Sequence, residues 1–433
     1  MNKIQSWGRL TNHKHNIIQL STPNSVINQI SSNLNLGISH GMGRSYGDVA
    51  LNRDRTLWLT THLDHLISFD SSTGILHCEA GVSLQEIHRC LIPQGWMLPV
   101  SPGTQMITVG GAIANDVHGK NHHRYGSFGD HLISIKIVRT TGETIECSRT
   151  NNAEWFFATL GGIGLTGIIV EAIIQLRAVE GPWVHAETIP YNHLDDFFAL
   201  SDTSEAAWEH NVSWIDCIRG KDAHGLFIRG NLKNPQHKRI PIIQDRSFPI
   251  TPAFSMVNRL SLPVFNFAYF YANALKRQPK FIHYEKFFYP LDAIQQWNKI
   301  YGKKGFYQYQ SVVPREVAKE ATHEMLKVIK KSGEGSFLAV LKIFGEHESG
   351  GLLSFPRAGV TLALDFPNRG TKTLKLFNEL DHIVTEAQGR LYLAKDTRMP
   401  RALFESGYPR FHEFLKYRDP GMSSEMSRRL LGS

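Results

Sequence analysis

The sequence predicts an α+β fold, and three observations carry the prediction. Before Pro182, short runs rich in β-branched and aromatic residues are each closed by turn residues. After Pro182, similar runs alternate with longer stretches whose apolar residues recur at helical spacing. The 433 residues are 42% hydrophobic, enough to build real cores.

Taken in order, LWLTT, LISFD and ILHCEAG between Leu57 and Gly81 read as strands of one sheet, with a turn at Ser71-Ser72-Thr73-Gly74. Ser83 with Glu86 forms a capping box ahead of a helix over Ile87 to Gln94, and Gly95 is its stop. ISIKIVRT and TIECSR flank Thr141-Gly142-Glu143 as a hairpin, and GIIVEAIIQLRAV from Gly167 is another strand. In the middle region, strands are expected at Gln308 to Val313, Phe337 to Phe344 and Val360 to Phe366. Helices are expected at Val317 to Lys331 and Thr371 to Gln388.

A formal charge of +8 favours an anionic partner, either nucleic acid, a phosphorylated substrate or lipid headgroups. No RRM, KH or zinc-finger signature is present, so nucleic acid is not expected. Cys78, Cys90, Cys147 and Cys217 form no CxxC pair and read as reduced structural thiols. The start of the chain has no apolar run after its lysine, which predicts a cytoplasmic protein. Leu260 to Leu275 is uncharged but too short to span a bilayer. Arg259, Lys276, Arg277 and Lys280 flank it, so residues 254–280 read either as a buried helix or as a peripheral contact with the inner membrane.

Three glycine-rich loops carry the chemistry. In Ser39 to Asn52, Tyr46 stands where a Rossmann loop needs its third glycine, and no Gly-Lys-Ser/Thr follows to make a P-loop. What remains is a turn whose N–H groups, with Arg44 and Ser45, can cradle a pyrophosphate. Val109 to His131 reads as a ligand-gripping loop: Gly110, Gly111 and Ala112 allow close backbone approach, and His118, Lys120, His122 and His123 offer donors. Gly161 to Gly167 permits close approach again. Two such loops in one region suggest a large phosphorylated cofactor. The histidines at 118, 122, 123 and 131 have no carboxylate or cysteine to complete a ligand set, so no metal is expected.

GRSYGD at 43–48, TVGGAIANDVHGKNHH at 108–123, GSFG at 126–129, GLTGII at 164–169, FYPLD at 288–292, GFYQYQ at 305–310, SFP at 354–356, DFP at 365–367 and LYLAKDTR at 391–398 run in order along nearly the whole chain. Together they resemble the vanillyl-alcohol oxidase family, and HGKNHH and AKDTR resemble its branch acting on lipid-linked ribose. The resemblance implies a two-part FAD-binding domain of the PCMH type, residues 1–180 and 389–433. Between the two parts it implies a substrate-binding cap, residues 181–388, built on an antiparallel sheet. It assigns FAD contacts to Ser39, His40, Gly41, Met42, Gly43, Arg44, Ser45, Tyr46, Gly47, Asp48, Val49, Gly103, Thr108, Val109, Gly110, Gly111, Asn115, Asp116, Val117, His118, Ile169 and Tyr392. The flavin is expected to be non-covalent, because Arg44 stands where tethering relatives have histidine and the second loop has no cysteine.

The implied reaction is oxidation of the ribose 2-hydroxyl of a polyprenylphosphoryl-β-D-ribose to the 2-keto sugar. An NAD(P)H-dependent short-chain reductase would then complete epimerisation to the arabinose form. The alternative is oxidation of a soluble alditol or aldonolactone. Lys395 is the first catalytic candidate, either stabilising the reduced flavin or acting as base once desolvated. His118 is the alternative base, and Tyr46 joins them. Lys120, Tyr289, Gln308, Gln310, Lys342, Ala363 and Lys395 are implied on the substrate side, with Ala363 where a member of the branch has cysteine.

Overall fold

The computed structural model describes residues 2–31, 36–235, 246–275 and 278–432. Three sheets organise it. The first, of four strands, runs in the order Asn2–Ile4, His13–Gln19, Thr56–Leu59, Gly37–His40, and its last three strands are parallel. The second is antiparallel, in the order Leu66–Asp70, Ile75–Glu79, Ile168–Gln175, Leu132–Val138, Thr144–Ser148. LWLTT therefore does not join the sheet of its neighbours in sequence. Trp58 is fully buried within it, and a strand covered on both faces suits a parallel position between two others.

The helix after Ser83 begins where its cap predicts, with Ser83 Oγ accepting from the Glu86 amide. It spans Leu84–Leu91 and ends in a tighter turn at Gly95, which takes a left-handed conformation at φ +85°. Val109–Ala114, expected to be loop, is a short helix capped by Thr108. Val109, Ala112 and Ile113 are buried in the core beneath it, so this apolar side outweighs its two glycines.

The third sheet has eight antiparallel strands: Lys280–His283, Trp183–Tyr191, Gly225–Leu232, His210–Ile215, Ala339–Phe344, Gly359–Pro367, Phe306–Val313 and Arg390–Leu391. Alternation gives its two faces different work. Tyr309, Leu341, Leu362, Leu364 and Phe366 share one cluster with Met325, Leu326 and Ile329 of helix Ala318–Ser332 and with Leu376, Phe377 and Leu380 of helix Thr371–Glu386. The opposite face carries Ala363 among Gln308, Gln310, Thr361, Asp365 and Lys342, and these five polar side chains are a set that an apolar core would not tolerate.

The segment after Gly389 links the sheets. Arg390–Leu391 supplies the edge strand, Ala394 accepts from the Tyr46 amide at 3.1 Å, and Gly421 and Ser423 bond to Gly37. Leu260 to Leu275 contains helix Ser261–Ala274, whose Leu262, Asn266 and Phe270 are buried. Its other side exposes Leu260 (84%), Val264 (70%), Phe267 (64%) and Leu275 (84%). Lys276 and Arg277 lie outside the described residues.

Candidate active site

Two loops and one turn meet above the polar face of the large sheet. A side chain on Gly41 would strike Thr108, and one on Gly47 would strike the Asp396 carbonyl, so glycine is what lets the first loop touch both the second loop and the turn 392–396. Arg429 clamps the same junction by pairing with Asp48 at 2.9 Å and Asp396 at 3.1 Å. Between those carboxylates burial dominates, and Asp48 rises to about 6.

The first loop offers a ligand its backbone. Among the described residues, the N–H groups of Gly41 through Ser45 have no hydrogen-bond partner, and Gly43 adopts φ +63°. Successive free N–H groups around a left-handed glycine form a cradle for an anion. Arg44 is not free to reach into it, because its guanidinium lies 4.4 Å from the Trp7 ring centre and donates to the Met42 carbonyl. The Tyr46 amide is likewise engaged, by Ala394.

The second loop differs from the expectation. The amides of Val109, Gly110 and Gly111 are taken by Val82, Ala80 and Thr108 Oγ1, so this helix start has no donor to spare for phosphate. Gly110 and Gly111 instead leave a low, half-exposed surface beside Asn115. The side chain of Asp116 is already engaged. Its buried carboxylate accepts from Ser354 Oγ at 2.6 Å, from the Gly129 amide at 3.0 Å and from Ser349. Asp48 is held by Arg429, and the His40 ring bonds the Ala50 carbonyl at 2.8 Å. Val49, Val109, Val117 and Ile169 pack in the core, where only their backbone can face a ligand. Gly161 to Gly167 buttresses this layer: Gly161 and Ile163 donate to Ile113 and Ala114.

Several polar side chains of the two loops have nothing to bond. Ser39 Oγ, Asn115 Oδ1 and His118 Nδ1 are buried and, among the described residues, without a partner. Such atoms carry a desolvation cost until a ligand meets them. Tyr392 gives its hydroxyl to the Asn115 carbonyl at 3.0 Å and stacks on Phe355. Gly103 is exposed with open space around it. With the free amides of the first loop, this donor set fits a flavin dinucleotide.

Lys395 sits 4.0 Å from the centre of the Tyr46 ring and lines a cavity with Gln308, Gln310 and Tyr392. Burial lowers Lys395 to about 8, opposed by Asp365. Lys342, on the neighbouring strand, falls to about 7 through burial and the charges of Lys120 and Lys395. His118 is enclosed by Phe344, Phe355 and Tyr392, and burial with nearby Lys342 holds it well below the usual histidine range. Its Nε2 lies 3.3 Å from Gln310 Nε2. Ala363, half-buried, pairs across the sheet with Gln310 and Val340.

Lys120 and Tyr289 line a different cavity with Ser101, Arg177, His210 and Phe288. Lys120 donates to the Phe288 carbonyl at 2.8 Å, and the buried Tyr289 hydroxyl contacts Ser101 and His88. Lys342 interacts electrostatically with lysines of both cavities. The histidines do separate things: His123 bonds the Trp208 carbonyl, His131 bonds the Tyr125 carbonyl, and His122 packs on Phe344. The sequence reading left Asp365 and Thr361 without a role. Strand alternation from Gln308, Gln310 and Ala363 was the signal that places both on the site face.

Comparisons with known proteins agree with this geometry. The profile of a family described as FAD binding domain matches residues 36–148. The decaprenylphosphoryl-β-D-ribose oxidase of Mycolicibacterium smegmatis is 34% identical over 99% of this chain and 97% of its own length. An uncharacterized Streptomyces coelicolor protein in the mprA 5′ region is 28% identical over 81% of this chain and all of its own length. A putative D-arabinono-1,4-lactone oxidase of Neurospora crassa is 30% identical, but over only 31% of this chain and 24% of its own length.

Proposed function

We propose the function of this chain from the family to which it belongs, that of decaprenylphosphoryl-β-D-ribose oxidase. It is an FAD-dependent oxidoreductase that converts the ribose 2-hydroxyl of a polyprenylphosphoryl-β-D-ribose to the 2-keto sugar, the first half of epimerisation to the arabinose form. The observation that carries this reading is the convergence of Lys395, Gln308 and Gln310 on one cavity, with Tyr46 packed against Lys395 and with loop atoms such as Ser39 Oγ and Asn115 Oδ1 left without a partner among the described residues.

Residues 1–180 with 389–433 form the FAD-binding part, and 181–388 form the substrate cap. The free amides of Gly41 to Ser45, with Ser39, Asn115, His118 and Tyr392, hold the cofactor without a covalent bond; Arg44 stacked on Trp7 offers no tether. FAD, when bound, supplies the two-electron acceptor.

Lys395 takes the hydroxyl proton. With its value near 8, about a tenth is free amine at neutral pH, enough to act as base, and its charged form then favours electron density gathering nearby. His118 is a poorer base, because a group held well below neutral pH binds a proton weakly. Lys342 and Lys120, neither of them in a salt bridge among the described residues although Asp292 acts on Lys120 from farther off, take the phosphate as point charges. The apolar side of helix Ser261–Ala274, with Arg259 and Lys280 at its ends, meets the bilayer from which the polyprenyl tail enters. The protein then works at the cytoplasmic face of the inner membrane, and an NAD(P)H-dependent short-chain reductase consumes its keto product.

The soluble-sugar alternative has weaker support, since the lactone oxidase relative shares less than a third of the chain. Anaerobic mixing of the holoenzyme with farnesylphosphoryl-β-D-ribose should bleach flavin absorbance while a soluble alditol leaves it unchanged. The reverse pattern would move the enzyme to the alternative.

A further inference from the structure

Asp365 takes no part in the steps above, yet its surroundings give it a task. It is wholly buried within strand Gly359–Pro367, and its amide donates to Ser336 Oγ at 2.9 Å. Directly across the ladder stands Gln308, whose Nε2 donates to Asp365 Oδ1 at 2.6 Å. A side-chain amide has its donors on one side and its acceptor on the other, and a carboxylate only accepts once ionised, which Asp365, raised by burial to about 7, is at pH 8.5. This contact therefore decides which way the amide points: with nitrogen held by Asp365, the carbonyl oxygen is turned to the other side, where Gln308 lines the cavity with Gln310, Tyr392 and Lys395. The Tyr46 hydroxyl lies beside the same amide, and because that contact favours its ionised form the amide N–H is the donor there, which leaves the carbonyl oxygen to a ligand.

Gln310, two residues along and on the same face, repeats the arrangement. Its Nε2 faces Thr361 Oγ1 at 3.2 Å and His118 Nε2 at 3.3 Å, which leaves its oxygen on the free side. Of the charged groups lining the cavity, Lys395 is a cationic donor, while Asp396 is already paired with Arg429 and Arg398 with Asp381. Two fixed acceptors beside a cationic donor suit a ring that donates from its hydroxyls and carries an anion elsewhere.

We propose that Asp365 is a positioning residue for the sugar: it holds the Gln308 amide nitrogen so that the Gln308 oxygen accepts a hydrogen bond from a ribose hydroxyl, and the site thereby selects substrates that donate there. The inference rests on the lipid-linked ribose reading and adds what fixes the orientation of that sugar.

Replacing a hydroxyl by fluorine preserves size and removes the donor. Binding of farnesylphosphoryl-β-D-ribose and of its 2-deoxy-2-fluoro and 3-deoxy-3-fluoro counterparts is measured by tryptophan fluorescence on dithionite-reduced holoenzyme at pH 8.5, where no turnover occurs. In the wild type, at least one fluoro compound should bind about tenfold more weakly, as a hydrogen bond left unmade in a buried site requires. In Asp365→Asn, whose amide can donate as well as accept, that penalty should fall below about threefold. An unchanged penalty in the variant, or none in the wild type, overturns the proposal.

A second measurement needs no folded variant at position 365. In ¹⁵N-glutamine-labelled wild-type protein, one side-chain N–H of Gln308, assigned with Gln308→Met, should be displaced downfield by its bond to the carboxylate. Its absence overturns the proposal by itself. If no lipid-linked ribose binds the wild type, the function reading falls, and this signal alone decides the role of Asp365.

Discussion

Lys342 shows how a single side chain is set for its work. It lies on a strand face, half-buried, near two other lysines, and burial is the main cause of its low value of about 7. The unfolded chain, near 10.5, binds more protons than the folded one between about pH 7 and 10.5, so this residue destabilises the fold at neutral pH and ceases to do so as pH rises through that window. Lys342→Met should therefore raise the melting temperature at pH 7.5 and leave it little changed near pH 10.5, as calorimetry would show. The same variant should raise KM for a phosphate-bearing substrate about tenfold or more, with a smaller effect on kcat. Lys395→Ala should instead lower kcat by about 10²- to 10³-fold, measured as the rate of anaerobic flavin reduction, with FAD content retained. Lys395 was legible in the sequence only through its motif. Its environment was not, because Tyr46, Asp365 and Lys342 come from segments far apart in the chain and the fold alone brings them together.

At the scale of elements, periodicity was a good guide wherever one face was buried and the other wet. The helices Ala318–Ser332 and Thr371–Glu386 and the hairpin around Gly142 fall close to their expected places for that reason. LWLTT is a strand as expected, but burial on both faces left nothing to tell which sheet it joins, and for Val109–Ala114 glycines disguised a turn of helix. Helix Ser261–Ala274 divides the two expectations held for it: Leu262, Asn266 and Phe270 are core, while Val264 and Phe267 face outward. Val264→Asp with Phe267→Asp should weaken sedimentation with phosphatidylglycerol vesicles about tenfold or more while leaving thermal stability within about 1 kcal/mol, since neither side chain is buried. Equal vesicle binding by wild type and variant would remove the helix from the membrane contact.

Across the whole molecule, the segment after Gly389 belongs to both halves of the architecture at once: it adds a strand to the large sheet and bonds to Gly37 and Tyr46. The strand Phe306–Val313 has a similar double allegiance. Gln308 and Gln310 look into the site, whereas Tyr309 between them is buried on the far side and gives its hydroxyl to Asp381, which is itself paired with Arg398. Neighbouring residues of that strand project to opposite faces, so packing on one face fixes the backbone from which the other face's side chains project. A geneticist selecting heat-conditional loss of the enzyme would then find Leu362 and Leu364 yielding the phenotype although neither lines the site, because loosening the hidden side of the plank tilts the hands on its open side.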